Sequence, residues 1–286
     1  MGVASLLLVL ALAGLLGAAV LAAADRSSSR SVDPALALVA GLVCLHGLLL
    51  LFDLAAVPWR RAPLAAGWVV ATGLASWLAW RRRGPGGRSS AATLEGWNRP
   101  GPGDAVAAVA LVAYAGASWT RLITIPDFVY HWGIKAKRHL LAGGIDYAFL
   151  ADPLRLTDHP DYPSLVPGLY AAVGVVRGAF HERAALLASV AFFALAVAAT
   201  RRTVRVARLS PAAAQGTVAL VALVLAMFGI GHRMAGAADW PIVAALLVAL
   251  PGMLAAPGGG AEAGGDGAMR LGFAAALAAG AKIEGV

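Results

Sequence analysis

Residues 3–24 read VASLLLVLALAGLLGAAVLAAA, an unbroken run without a charged side chain. A hydrocarbon core of roughly 30 Å is crossed by about 20 apolar residues in an α-helix, so this run is long enough to span a bilayer. No basic residue precedes it, and it exceeds the apolar stretch of about 7–15 residues found in cleavable leaders. It therefore reads as a retained first helix. Working outward, 34–56 repeats the pattern, and apolar segments follow at 63–80, 104–120, 183–200, 211–230 and 240–256. A last one opens near residue 271 and stops at Val286, so the sequence reads as ending inside a helix. The expected fold is all-α: a polytopic transmembrane helical bundle with interfacial helices in a long outer loop.

Composition agrees. The chain has 286 residues, 60% hydrophobic and 13% charged, where a soluble domain carries about 25% charged residues. The formal charge of +8 does not point to nucleic acid, because the basic residues cluster between apolar runs, as membrane topology requires. The single cysteine, Cys44, sits inside an apolar run and excludes an internal disulfide or a paired-cysteine zinc site. The Ala, Gly, Leu and Val bias suits membrane helices that pack through small side chains.

Arginine placement predicts orientation. Arg81, Arg82, Arg83, Arg88 and Arg99 lie in one connection, and Arg201, Arg202, Arg205 and Arg208 in another. Both are expected on the cytoplasmic side. The glycine-rich stretch 257–269 reads as a flexible connection on that same side. Residues 119–181 and 231–239 then face outward. Within the first of these, the apolar stretch 164–180 is interrupted by Pro167 and carries Arg177, and it reads as a short helix in or dipping into the outer interface. Arg60 and Arg61 then fall outside, against the charge rule.

The outer loop holds most of the polar chemistry. Residues 124–141 read as one amphipathic helix along the membrane surface. Phe128, Trp132, Ala136 and Leu140 form one stripe, and Asp127, His131, Lys135 and Arg138 another. Asp127 has two compatible readings. With Thr124 it approximates a helix-capping pair in a first turn that favours acidic residues. A carboxylate at the membrane–water boundary can also act as a general base, with Lys135 balancing its charge. A second cluster, DPLRLTDHPDYPSLVP at 152–167, offers Asp158, His159, Asp161 and Tyr162 among prolines that shape an irregular loop. It reads as a solvated turn or as a divalent-metal site. Asp239 opens a span at the outer face. Lys282 and Glu284 are ionisable residues in an apolar segment, where such groups usually serve function.

The order of these motifs resembles a family. An outer-loop Asp127 is followed by W-x-x-K-A-K at 132–137, H-P-D-Y-P-x-L-x-P at 159–167, G-x-A-D-x-P at 236–241 and A-G-x-K-x-E-G at 279–285. The set is similar to the GT-C superfamily of polyprenyl-phosphate-sugar-dependent glycosyltransferases, in the branch of protein O-mannosyltransferases and aminoarabinose transferases. The resemblance covers residues 104–286, and residues 1–103 form an N-terminal part of unassigned role. It implies inverting transfer of a sugar from a polyprenyl-phosphate donor to an acceptor hydroxyl or amine on a glycan, lipid or protein, at the outer face of the plasma membrane. By the same resemblance, Asp127 is the catalytic base, Asp239 a second acidic residue of the site, Lys282 a lysine near the donor phosphate and Tyr162 part of a stretch bordering the donor cavity. On chemical grounds Lys135, Arg138 and Lys282 are the cations available to the leaving phosphate, and His131, His159, Asp161 and Glu284 are further substrate-binding candidates. No cofactor is assigned, and a divalent metal is compatible with the carboxylates and imidazoles. Members often carry two neighbouring acidic residues where this chain has Asp127-Phe128. A transporter or flippase of lipid-linked sugars is the other reading. It calls for ionisable residues near mid-membrane, whereas most lie here at helix ends and in loops.

Overall fold

Each apolar run becomes a helix for the reason it was legible: a chain in lipid must satisfy its backbone hydrogen bonds internally. The computed structural model describes residues 2–24, 33–82, 100–120, 126–152, 163–231, 236–255 and 261–281. The helices are α1 (Gly2–Ala24), α2 (Pro34–Leu54), α3 (Arg61–Arg82), α4 (Pro102–Thr120), α5 (Gly133–Ala142), α6 (Tyr147–Leu150), α7 (Leu165–Arg177), α8 (Glu182–Leu186), α9 (Ala188–Val206), α10 (Pro211–Gly231), α11 (Asp239–Ala255) and α12 (Ala261–Ala281). A π-helical turn, Asp127–Trp132, leads directly into α5. Among the described residues there is no β-strand. Among the described residues, five stretches, α1, α2, α3, the α8–α9 unit and α10, are long and apolar enough to cross a membrane. The protein is thus an all-α polytopic membrane protein.

The long helices alternate between two ends of a bundle. At one end the Arg82 guanidinium donates to the Ala23 carbonyl, Arg270 pairs with Asp33 at 2.9 Å, and Arg201 meets Asp104 at 3.4 Å. Gln215 also donates to Asp104 there, at 3.2 Å. This arginine-rich end gathers the two connections that the charge rule puts on one side. The other end, the loop end, holds residues 126–152 and 163–181. Gly2 of α1 packs there against His181, and Trp119 of α4 stacks on the same imidazole.

Lipid supplies no hydrophobic drive for helices to associate, so close backbone approach through small residues does much of the work. The α1–α2 crossing shows this directly. A Cβ on Gly17 would lie 1.8 Å from the Ala37 carbonyl oxygen, and one on Gly41 would lie 1.7 Å from that of Ala13. The first two helices also contact later ones: α1 packs on α7 and α8, and α2 packs on α7 and α12.

Two segments differ from expectation. The glycine-rich stretch expected as a flexible connection is helical from Ala261 onward, and Gly267 lies against Gly252 of α11. Gly267 thus serves helix–helix approach, and residues 257–260 of the stretch lie outside the described residues. The short helix expected at the interface is α7, with 13 residues and a length of about 20 Å, too short to span. It is more enclosed than a helix laid on a surface. Every residue from Leu165 to Val175 is buried, because α1, α2, α5 and α12 surround it. Pro167 falls in its first turn, where no helical N–H is lost.

Candidate functional site

The loop helix begins with a wide turn: the Gly133 N–H bonds to the Phe128 carbonyl, an i→i+5 pattern that is rare, occurs mostly as single turns within helices and is frequent at functional sites. The apolar stripe points inward as its spacing requires, with Phe128, Trp132 and Ala136 buried. The polar stripe does not all face water. Lys135 is only 1% exposed, its ammonium 5.6 Å from the Trp132 ring centroid. The helix is covered on two sides, by α7 and by the α2–α3 connection, so a residue that helical periodicity assigns to the wet face ends up inside. Asp127 and His131 are half-buried. Arg138 remains exposed and pairs with Asp146 at 2.8 Å, so its charge is committed to the turn after α5. Asp127 occupies the first turn, as the dipole argument expects. Its expected capping partner Thr124 lies outside the described residues.

A residue that sequence reasoning passed over sits next to Lys135. His139 is 1% exposed, edge-on to Trp59 at 6.0 Å between centroids. Its Nδ1 accepts the Asp146 N–H at 3.2 Å, which assigns the ring proton to Nε2. Burial pushes its pKa down to about 4; Lys135 acts in the same direction, while Asp146 and Asp53 oppose it. Asp53, at the end of α2, accepts from the Ile145 N–H at 2.9 Å and from the Tyr147 hydroxyl at 2.6 Å. That hydrogen bond raises the Tyr147 pKa. Asp146 caps α6 by accepting from the Phe149 N–H at 3.0 Å. The signal in sequence was faint: His139 continues W-x-x-K-A-K by two residues, and its ring partner Trp59 lies in the connection between two spans, far away in sequence.

The segments carrying the candidate residues meet around α7. The buried Tyr170 hydroxyl donates to the Gly236 carbonyl at 3.1 Å, and its ring lies 5.9 Å from that of Phe128. Gly236 has a positive φ of 78°, and a Cβ on it would lie 2.7 Å from Phe128, so glycine is required at this junction. The stretch of chain just before Asp239 therefore packs on the residue after Asp127. Asp239 is half-buried as the first residue of α11, while Trp240 packs on Tyr114 and Phe193. At the start of α7, Leu165 meets Gly280 of α12. The candidates His159, Asp161, Tyr162, Lys282 and Glu284 lie outside the described residues. Their flanks, residues 163–165 and 280–281, are brought together by that contact. Among the described residues, no three His, Cys, Asp or Glu side chains are grouped as a metal site.

An open apolar groove of about 660 Å³ runs between α4 and α10, lined by residues such as Val109, Ala113, Leu223, Met227 and Ile230. No family model, curated protein or solved structure matches the chain.

Proposed function

We propose that the protein is a membrane glycosyltransferase that moves a sugar from a polyprenyl-phosphate donor to an acceptor hydroxyl or amine at the loop end of the bundle. The observation that carries this reading is the meeting of the Asp127 and Asp239 segments on Tyr170 of α7, with Lys135 buried on α5, the helix that continues from Asp127. A lipid donor needs a site at a membrane boundary, and the apolar groove along α4 and α10 suits a hydrocarbon chain. In the proposed step the Asp127 carboxylate takes the acceptor proton as the acceptor oxygen or nitrogen bonds to the anomeric carbon. The bond from that carbon to the phosphate oxygen breaks, with inversion, and polyprenyl phosphate leaves. Lys135 stabilises the charge developing on the phosphate. This reading puts the loop end on the outer side of the plasma membrane.

An Asp127→Asn variant tests it. General-base help is worth about 10²–10⁴-fold, so transfer should fall by that factor while donor binding persists. Undiminished turnover removes Asp127 from the role. One observation favours the transporter reading: Arg270 of α12 is 3% exposed and paired with Asp33, an enclosed charge of the kind transport pathways use. Movement of a lipid-linked sugar across proteoliposomes without covalent transfer would establish that reading instead.

A further inference from the structure

We infer that the connection between α2 and α3, residues 53–61, is a clamp that positions the loop helix, and that this is what the N-terminal three helices contribute to the site. The inference rests on the proposed transfer reaction only for its kinetic readout.

The clamp has three grips. Asp53 holds the turn after α5, accepting from the Ile145 N–H and the Tyr147 hydroxyl. Trp59 holds α5 itself. Its ring faces His139, its backbone N–H donates to the Gly143 carbonyl, and its indole Nε1 donates to the Leu49 carbonyl at 3.1 Å, which fixes the ring against α2. Arg61 holds α7, donating through Nε to the Val175 carbonyl at 3.2 Å and through Nη2 to the Arg177 carbonyl. Those carbonyls belong to the last turn of α7, where orphaned acceptors and the negative end of the helix dipole favour a cation. Arg61 is therefore kept at the loop end by a specific partner, which accounts for its departure from the charge rule. One short segment thus joins α5, which carries Lys135, to α7, on which the Asp127 and Asp239 segments meet. Asp53, Trp59 and Arg61 are positioning residues. None is assigned contact with a substrate.

The test uses full-length protein in lipid nanodiscs, with two readouts: amide hydrogen exchange over residues 139–147, and steady-state transfer. Asp53→Ala should speed exchange at residues 144–147 at least about tenfold and lower kcat about tenfold with donor KM unchanged, since misplacement affects the reacting geometry more than binding. Asp53→Asn keeps an acceptor for Ile145 and should restore most of both. Tyr147→Phe removes one exposed hydroxyl without endangering folding and should show the same direction, more weakly. Arg82→Ala is the control for general loosening, because its contact ties α3 to α1 at the far end. It should move neither readout. Unchanged exchange in Asp53→Ala, faster exchange without a fall in kcat, or an equal effect from Arg82→Ala would overturn the clamp. If the intact protein transfers no sugar, the proposed function fails, and the exchange results with the Arg82 control decide the clamp alone.

Discussion

The two ends of the bundle handle charge in opposite ways. At the arginine-rich end, ionic and polar ties run from one long helix to another: Asp33 to Arg270, Asp104 to Arg201 and Gln215. Each joins α2 to α12 or α4 to α9 and α10, and the effect is stitching. At the loop end, the polar groups sit on short helices and turns. Lys135 and His139 are buried one helical turn apart on α5, and acidic Asp127 and Asp239 are held half-buried on segments that meet at Tyr170. Desolvating such groups is unfavourable, and the fold tolerates it only where several elements enclose them. Under the proposed function, stability belongs to one end and chemistry to the other, and substitutions at each end should report it.

The largest effect is expected from Arg270→Ala. Its guanidinium is 3% exposed and Asp33 is 14% exposed, so the change leaves a carboxylate enclosed without this cation. Breaking a buried pair from one side costs about 3–5 kcal/mol. Thermal unfolding of the detergent-solubilised protein should show a loss of that order, while turnover per folded molecule stays close to wild type. A loss of turnover with stability intact would mean that the arginine-rich end is part of the chemistry, and the division between the ends would fail.

The next effect is a pH dependence that belongs to the loop end. His139 is neutral in the fold, with a pKa of about 4 against 6.5 for the free side chain. The unfolded chain therefore binds more protons between those values, and stability rises with pH across that window. The contribution is complete above about pH 6.5 and is lost as pH falls toward 4. A pKa difference of one is worth about 1.4 kcal/mol, so the whole window contributes about 3 kcal/mol. Unfolding followed from pH 7 to pH 4 should show this slope in wild type and a shallower one in His139→Gln. Equal slopes would show that the imidazole is not buried neutral as its Trp59 and Asp146 contacts indicate.

The long helices were legible because bilayer thickness sets their length and the absence of charge marks them. The alternation of ends was legible from the arginines. His139 was not, because its burial depends on Trp59, which lies far away in sequence within a connection whose reach onto α5 no local pattern encodes. Lys135 was read onto a wet face because helical periodicity separates two stripes but does not say how many sides of a helix will be covered. Arg61 looked like an exception to the charge rule until its partners, the last carbonyls of α7, were in place. Of the apolar stripe read from spacing, Phe128, Trp132 and Ala136 are buried and Leu140 is half-buried.

The smallest effect sharpens the comparison from the arginine-rich end. Arg201 is 31% exposed and sits 3.4 Å from Asp104. Asp104 also accepts from the Gly101 N–H at 2.9 Å and from Gln215 at 3.2 Å. Truncating Arg201 to alanine therefore leaves the carboxylate with a backbone and a side-chain donor and opens its other side to water. Asp33 after loss of Arg270 keeps the Ala35 N–H on Oδ1 at 2.9 Å, while Oδ2 loses the Arg270 guanidinium at 2.9 Å. A partly exposed ion pair contributes about 0–1 kcal/mol, so Arg201→Ala should destabilise by no more than that in the same unfolding measurement. The contrast between the two arginines is the informative quantity. Both join long helices at one end of the molecule, and they differ in how deeply the cation is enclosed and in how well the acid left behind is supplied with donors. If Arg201→Ala proves as damaging as Arg270→Ala, the stitching works through net charge at that end, and the case for reading each tie from its own geometry falls with it.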